Sequence, residues 1–142
     1  MTNQPKFILT AEITGVLGDI YLDGPSPVFD YYHVIFEDDG RTGYLYALDL
    51  RKIEQPIVDS IFIYNVHNVV DRERPSLFQV AWSSDGLKAV LFINNYPHAV
   101  VDFESQHSFC RTGHALSTPE FEKYSHEWTD ECLNLFVEIS DI

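Results

Sequence analysis

Runs of apolar, β-compatible residues broken by Gly, Pro, Asn and Asp dominate this chain, the pattern of short strands joined by turns. The first run, KFILTAEIT (Lys6 to Thr14), ends in a Gly-containing turn and predicts an opening strand. The next segment, LGDIYLDGPSPVFD, carries Gly18, Gly24, Pro25 and Pro27, which punctuate the backbone and predict an irregular loop. YYHVIFEDDGRTGYLYALDL then sets two β-rich runs around Asp39-Gly40, a dipeptide suited to the positive φ of a tight hairpin turn. A turn centred there places Ile35 opposite Tyr44, His33 opposite Tyr46 and Tyr31 opposite Leu48 on one face. Val34, Phe36, Leu45 and Ala47 take the other face.

A second hairpin signal lies in LFQVAWSSDGLKAVLFI, where a turn at Asp85-Gly86 sets Trp82 opposite Ala89, Val80 opposite Leu91 and Phe78 opposite Ile93. The reverse face holds Gln79, Ala81, Val90 and Phe92, so both faces are substantially apolar and the sheet is predicted to be covered on both sides. A further turn through Asn94, Asn95, Tyr96 and Pro97 adds His98 to Phe103 as a third antiparallel strand, with His98 beside Ile93, Val100 beside Leu91 and Asp102 near Ala89. IFIYNV (Ile61 to Val66) reads as one more strand. Near the C-terminus Thr118 can cap a helix, Pro119 suits its first position, and Glu120 and Glu122 suit the positive end of its dipole. Phe121, Tyr124, Trp128, Cys132 and Leu135 recur at helical spacing as an inward stripe. The fold class expected is therefore α+β: a mainly antiparallel β-sheet meander with one C-terminal α-helix packed on it, as a single domain over residues 1–142.

Composition narrows the partners. The chain has 22 acidic residues against 9 basic ones, a formal charge of −13, so its mean field repels phosphate backbones and anionic membranes and favours a basic protein partner. The apolar run in MTNQPKFILTAEITGVLGD is too short and interrupted for an export signal or a membrane span, which leads to the expectation of a soluble, cytoplasmic protein. Cys110 and Cys132 are then expected as reduced thiols.

Candidate chemistry is sparse. In an extended strand His98 and Asp102 stand roughly 13 Å apart, too far to form a dyad, and read as hydrogen-bonded polar residues at sheet margins. QHSFCRTGH spaces His107, Cys110 and His114 as H-x2-C-x3-H, with His98, His126 or Cys132 available as a fourth ligand, but it lacks the paired clusters of a strong zinc signature. No metal or other cofactor is expected, and that segment is the runner-up metal site. Cys110 beside Arg111 has a nucleophile's neighbour without a phosphatase loop's spacing. Glu122, His126 and Asp130 share one face of the predicted helix, as surface pairs do. Tyr31, His33, Tyr44 and Tyr46 combine apolar rings with polar tips, which serves core packing and interface anchoring alike. With Glu122, Glu127, Asp130 and Glu131 off the apolar stripe, they form the candidate partner-binding set.

The run IYNVHNVVDRERPS, then WSSDGLKAVLFINNYPHAVVDF, then FCRTG, spanning Ile63 to Gly113, resembles a family of small bacterial proteins known as a domain of unknown function. That resemblance implies a bacterial, cytoplasmic origin and carries over no catalytic residues. Small acidic bacterial proteins of this β-rich type are also similar in size and charge to the immunity proteins of toxin systems. The leading expectation is a non-enzymatic protein-binding domain, an immunity-type inhibitor of a basic bacterial toxin. The alternatives are a small metal-assisted hydrolase using His107, Cys110 and His114, and a structural or regulatory interaction protein.

Overall fold

The computed structural model describes residues 4–138, which form two five-stranded antiparallel sheets packed face to face. Strand β1 (Ile8–Gly15) belongs to the first sheet, and β2 (Ile20–Pro25), β3 (Tyr32–Asp38), β4 (Thr42–Asp49) and β5 (Ile57–Asn65) form a meander in the second. A connection through a 3-10 turn at Val66–Asn68 returns the chain to the first sheet. There β6 (Ser76–Trp82), β7 (Lys88–Ile93), β8 (Tyr96–Asp102) and β9 (His107–Cys110) run as a second meander, and β10 (Ala115–Ser117) crosses back to pair with β5. The resulting orders are β1-β6-β7-β8-β9 and β10-β5-β4-β3-β2.

Alternate residues of both sheets fill one core. Ile20, Leu22, Val34, Phe36, Leu45, Ala47, Ile61 and Ile63 of the second sheet meet Phe78, Val80, Trp82, Leu91, Ala99, Val101 and Cys110 of the first. Phe36 stacks on Phe78 at 5.1 Å, and the Trp82 indole donates across the interface to the Gly24 carbonyl at 3.3 Å. Gly24 is required there, because a Cβ at this position would lie 2.3 Å from Val80. This close approach explains why Ile20–Pro25 is a strand where the glycine and proline content predicts a loop. Ile20 and Leu22 point inward at alternate positions, and Pro25 is tolerated at the end of an edge strand.

The expected C-terminal α-helix does not form, so the α+β assignment is corrected to an all-β sandwich with, among the described residues, only short 3-10 segments beside the strands. One turn forms after Thr118, whose carbonyl accepts from the Phe121 and Glu122 amides, while its hydroxyl bonds the Val58 carbonyl instead of capping. The stripe fails because its ends serve different layers. Phe121 inserts into the core between the sheets, whereas Cys132 and Phe136 cover the outer face of the first sheet, and one straight helix cannot reach both. Between them the chain pairs with the end of β9: the Cys110 amide donates to the His126 carbonyl at 2.8 Å, and Cys110 and Glu127 form an isolated parallel bridge. A 3-10 segment, Asp130–Phe136, then lies over Ala81, Val90 and Val100, joined by Phe92, Phe109, Trp128, Leu133 and Leu135. This is the cover that the two-sided apolar pattern of β6 and β7 demands.

The hairpin at Asp85-Gly86 has the predicted register, with Trp82 opposite Ala89, Val80 opposite Leu91 and Phe78 opposite Ile93. The first hairpin is displaced by two residues, pairing Ile35 with Tyr46 and His33 with Leu48. The Asp39 carboxylate accepts from the Arg41 and Thr42 amides at 2.9 and 3.0 Å and the Asp39 amide donates to the Thr42 carbonyl, which moves the two-residue turn to Gly40-Arg41. A shift of two leaves the side chains within β3 and β4 on their predicted faces. In β8 the displacement is by one residue at Lys88–Leu91, so Asp102 pairs with Lys88 and Val101 with Ala89. The chain reverses within Asn94 and Asn95, both at positive φ, and a register irregularity follows between Leu91 and Phe92.

The two tryptophans test this architecture. Trp82 is fully buried between the sheets, so Trp82→Ala is expected to cost about 3–5 kcal/mol through lost burial and a cavity. Trp128 is only half-buried under Arg111, so Trp128→Ala is expected to cost about 1–2 kcal/mol. Urea denaturation midpoints measure both, and equal losses would contradict the assignment of the two residues to different layers.

Candidate functional site

The outer face of the second sheet has no covering element among the described residues. Strand alternation turns Tyr21, Ile35, Tyr44, Tyr46, Leu48, Ser60 and Phe62 away from the core, and the edge strand β10 adds Leu116. Cross-strand pairing sets these side chains in rows, Tyr21 beside Glu37 beside Tyr44 beside Phe62, and Asp23 beside Ile35 beside Tyr46 beside Ser60 beside Leu116. Tyr44 stacks with Tyr46 at 6.1 Å and meets Phe62 edge-on at 5.6 Å. Tyr21 and Leu116 remain 58% and 75% exposed, more than packing within one sheet requires. Two open hollows of about 470 Å³ each flank Leu116, one reaching Tyr44 and Phe62, the other Ile57, Ser60 and Glu122.

The electrostatics of this face are acidic. Glu37 lies within the aromatic rows, and Asp39 stands at their end. Burial, and then the negative field of Glu37 and Asp39, pushes the Tyr46 phenol above its usual range, so it stays a neutral donor and acceptor. His33 is on the same face but is already held: Nδ1 meets the Asp23 carboxylate at 2.8 Å and Nε2 faces the Asp30 carbonyl at 3.2 Å.

A second constellation joins the two sheets where β9 meets β5 and β10. Asp59, in the apolar run IVDSIFI, faces inward, and its two oxygens accept from Ser108 Oγ at 2.5 Å and Ser117 Oγ at 2.6 Å. His126 closes the ring, with Nδ1 at 2.9 Å from Ser108 Oγ and Nε2 at 3.2 Å from Ser117 Oγ. Nδ1 also faces the Ser108 carbonyl at 3.2 Å, which can only accept, so this nitrogen carries a proton. If Asp59 is ionised, both serines donate to it and both imidazole nitrogens donate to the serines. If Asp59 is protonated, a neutral imidazole accepts from Ser117. Either distribution satisfies all four side-chain contacts with no net charge, which makes the burial tolerable. Burial raises the Asp59 carboxyl, while Ser108, Ser117 and His126 pull it back.

Serine, histidine and aspartate meet here, but not as a hydrolytic triad, which needs the carboxylate on the imidazole and the hydroxyl open to substrate. Asp59 holds the hydroxyls directly and Ser108 is fully buried. The arrangement ties β5, β9, β10 and the 118–129 segment together. Only His126 of this group carries a sequence signal as a candidate ligand; Asp59 is recognisable in hindsight as the lone acid on the inward face of an apolar strand.

Other sequence-predicted residues are dispersed. Tyr31 leaves the predicted row for the turn before β3, where Arg51 lies 4.1 Å over its ring. His107 packs on Phe109 and Tyr124 with Nε2 2.8 Å from the Ser125 carbonyl, Cys110 is buried in the core, and His114 is exposed. The structure does not converge these three, and no metal-competent group of His, Cys, Asp and Glu occurs among the described residues. Without the helix, the acidic set divides: Glu122 lines a hollow beside Leu116, Asp130 accepts from the Trp128 indole at 2.8 Å and pairs with Arg111 at 3.9 Å, and Glu127 and Glu131 are exposed elsewhere on the C-terminal segment. Asp102 caps the β8–β9 turn through Glu104, Ser105 and the Ser105 hydroxyl, while His98 lines a cavity at one end of the sandwich.

Two outcomes follow from these environments. Ser108→Ala is expected to lose roughly 1–3 kcal/mol by leaving Asp59 and His126 under-bonded, and Ser108 should resist a fluorophosphonate probe; rapid labelling would contradict the structural role. Burial, then the charge of Arg111, lowers the His98 imidazole from 6.5 to about 4. The unfolded chain therefore takes up this proton first, so the contribution of neutral His98 is complete above pH 6.5 and is lost as pH falls toward 4. Stability measured by urea across that window should fall less steeply in His98→Gln; parallel curves would contradict the burial of a neutral ring.

Comparison with known proteins places the chain. Over 78 residues it is 49% identical to an uncharacterized protein of Haemophilus influenzae, a match covering 55% of this chain and 48% of that protein. The chain thus matches about half the length of this curated relative. No solved structure matches the chain. The family model described as an uncharacterized protein conserved in bacteria (DUF2251) matches residues 19–137, from the first strand of the second sheet through the covering C-terminal segment, and the chain belongs to that family.

Proposed function

We propose that this protein is a non-enzymatic protein-binding domain whose docking surface is the outer face of the second sheet and whose partner is a basic protein. The observation that carries this reading is the contrast between the two outer faces. The apolar outer face of the first sheet is covered by the chain's own C-terminal segment, whereas the aromatic outer face of the second is left to solvent. Large apolar patches rimmed by polar groups mark interaction surfaces. Tyr44, Tyr46 and Phe62 are rigid anchors of the kind that dominate binding energy. Glu37 within the aromatic rows and Asp39 and Glu122 at their margins, within a total charge of −13, favour a basic partner and oppose a second copy of this chain.

Among basic partners, a bacterial toxin neutralised by occlusion of its active site suits the size and charge best: an immunity-type inhibitor acting by steric and electrostatic complementarity without turnover. A cytoplasmic location is part of the proposal, supported by two buried thiols that stay unpaired. No helix among the described residues is long and apolar enough to cross a membrane.

The test is quantitative capture from the bacterial host, followed by binding kinetics with the isolated partner. Replacing Tyr44, Tyr46 and Phe62 together by alanine should weaken binding by about 100-fold or more, with the fold verified by NMR, while replacing Val70 and Tyr96, exposed elsewhere, should leave it unchanged. Glu37→Lys with Glu122→Lys should slow association more than it speeds dissociation, and raised salt should do the same. A partner that tolerates the triple variant, or association rates indifferent to salt and charge reversal, would refute the assignment.

A further inference from the structure

At the end of the sandwich reached by the β5–β6 connection lies a cavity of about 490 Å³, within the roughly 300–1,000 Å³ range of small-molecule sites. It is separate from the outer face. Leu17, Ile63, Val69 and Ile93 give it apolar walls, and the connecting segment lays Arg72 and Arg74 along it. Arg72 and Arg74, like Arg41 and Lys123, have no carboxylate within 4.0 Å among the described residues, whereas Lys6, Arg51, Lys52, Lys88 and Arg111 each have one. Only Arg72 and Arg74 of these unpaired cations line this cavity, and Arg72 also donates to the His67 carbonyl at 3.3 Å. Asp71 also lines the cavity, and the two guanidinium groups leave it with excess positive charge.

Tyr64, Ser76 and Asn94 also line the cavity but are already engaged, the Tyr64 hydroxyl with Asp38 at 2.7 Å and the Asn94 amide with the Ser76 hydroxyl at 3.2 Å. His98 lines it as well, and neither of its ring nitrogens has a hydrogen-bond partner among the described residues. Burial lowers its imidazole to about 4, so at neutral pH it offers one donor and one acceptor without charge. Apolar walls with a few convergent polar groups and an excess of guanidinium charge match one class of ligand. We propose that this cavity binds a small amphipathic carboxylate, its apolar body between Leu17, Ile63 and Ile93 and its headgroup on Arg72 and Arg74, with His98 as a hydrogen-bonding contact.

Octanoate, octylamine and acetate are the probes, followed by amide shifts in proton–nitrogen NMR spectra of the intact chain. Octanoate should shift Ile63, Tyr64, Val69, Ile93 and His98 saturably, while octylamine and acetate at equal concentration should not, since one lacks the negative head and the other the apolar body. Replacing Arg72 and Arg74 by glutamine, at exposed loop positions where the fold is expected to survive, should weaken octanoate binding by about tenfold or more. A bound carboxylate near His98 favours its protonated form, so the imidazole titration midpoint should rise in the octanoate complex. Equal binding of octylamine, octanoate shifts centred on Tyr44 and Tyr46, or full affinity in the double variant would overturn the proposal.

Discussion

A β-strand sends successive side chains to opposite faces, so a strand apolar on both sides creates two surfaces that must be removed from water. That constraint organises this molecule. Phe78, Val80 and Trp82 of β6 fill the space between the sheets, and the alternate Ala81, with Val90 and Val100 on β7 and β8, creates a second apolar surface behind them. The C-terminal segment exists in its observed form to cover that surface, and Phe7 joins it by packing on Phe92 and Phe136 at 5.1 and 5.0 Å. The second sheet has an outer face of similar aromatic content and no cover from the described chain, and the proposed function follows from that asymmetry.

The cover has a structural cost that the Asp59 ring offsets. For the chain to pass from the core at Phe121 to the outer face at Cys132, it must travel around the edge where β9 approaches β5 and β10. An exposed edge there would leave backbone groups unpaired. The Cys110–His126 backbone bond and the side-chain ring of Asp59, Ser108, Ser117 and His126 close it. The polar cluster that most resembles catalytic machinery is thus better understood as the fastening of the covering segment.

Much of the sheet was legible in the sequence because local chemistry governs it. Asp85-Gly86 between two strands apolar on both faces fixes a register, and the observed pairing of Trp82 with Ala89 agrees with it. The Asp39-Gly40 hairpin was legible in its faces but not its pairing, since the side-chain bonds of Asp39 that shift the turn to Gly40-Arg41 cannot be read from a dipeptide. Strand β2 was hidden by Gly24, whose role is a close approach to Val80 from the other sheet, a tertiary fact. The predicted C-terminal helix fails for the same kind of reason: Phe121, Trp128 and Cys132 have helical spacing but serve separate layers. Of the candidate surface, Tyr44 and Tyr46 were visible as amphipathic aromatics, while Phe62 and Leu116 join them only through strand order.

The claim on which the functional account rests is that the outer face of the second sheet is where a partner docks. Hydroxyl-radical footprinting of the protein alone and in complex with its captured partner reads this directly, side chain by side chain. The account predicts strong protection of Tyr21, Tyr44, Tyr46, Phe62 and Leu116, with Tyr96 and Val70 oxidised equally in both states. Protection confined to Tyr124, Trp128 and the C-terminal segment, with Tyr21 and Leu116 still fully reactive in the complex, would contradict it.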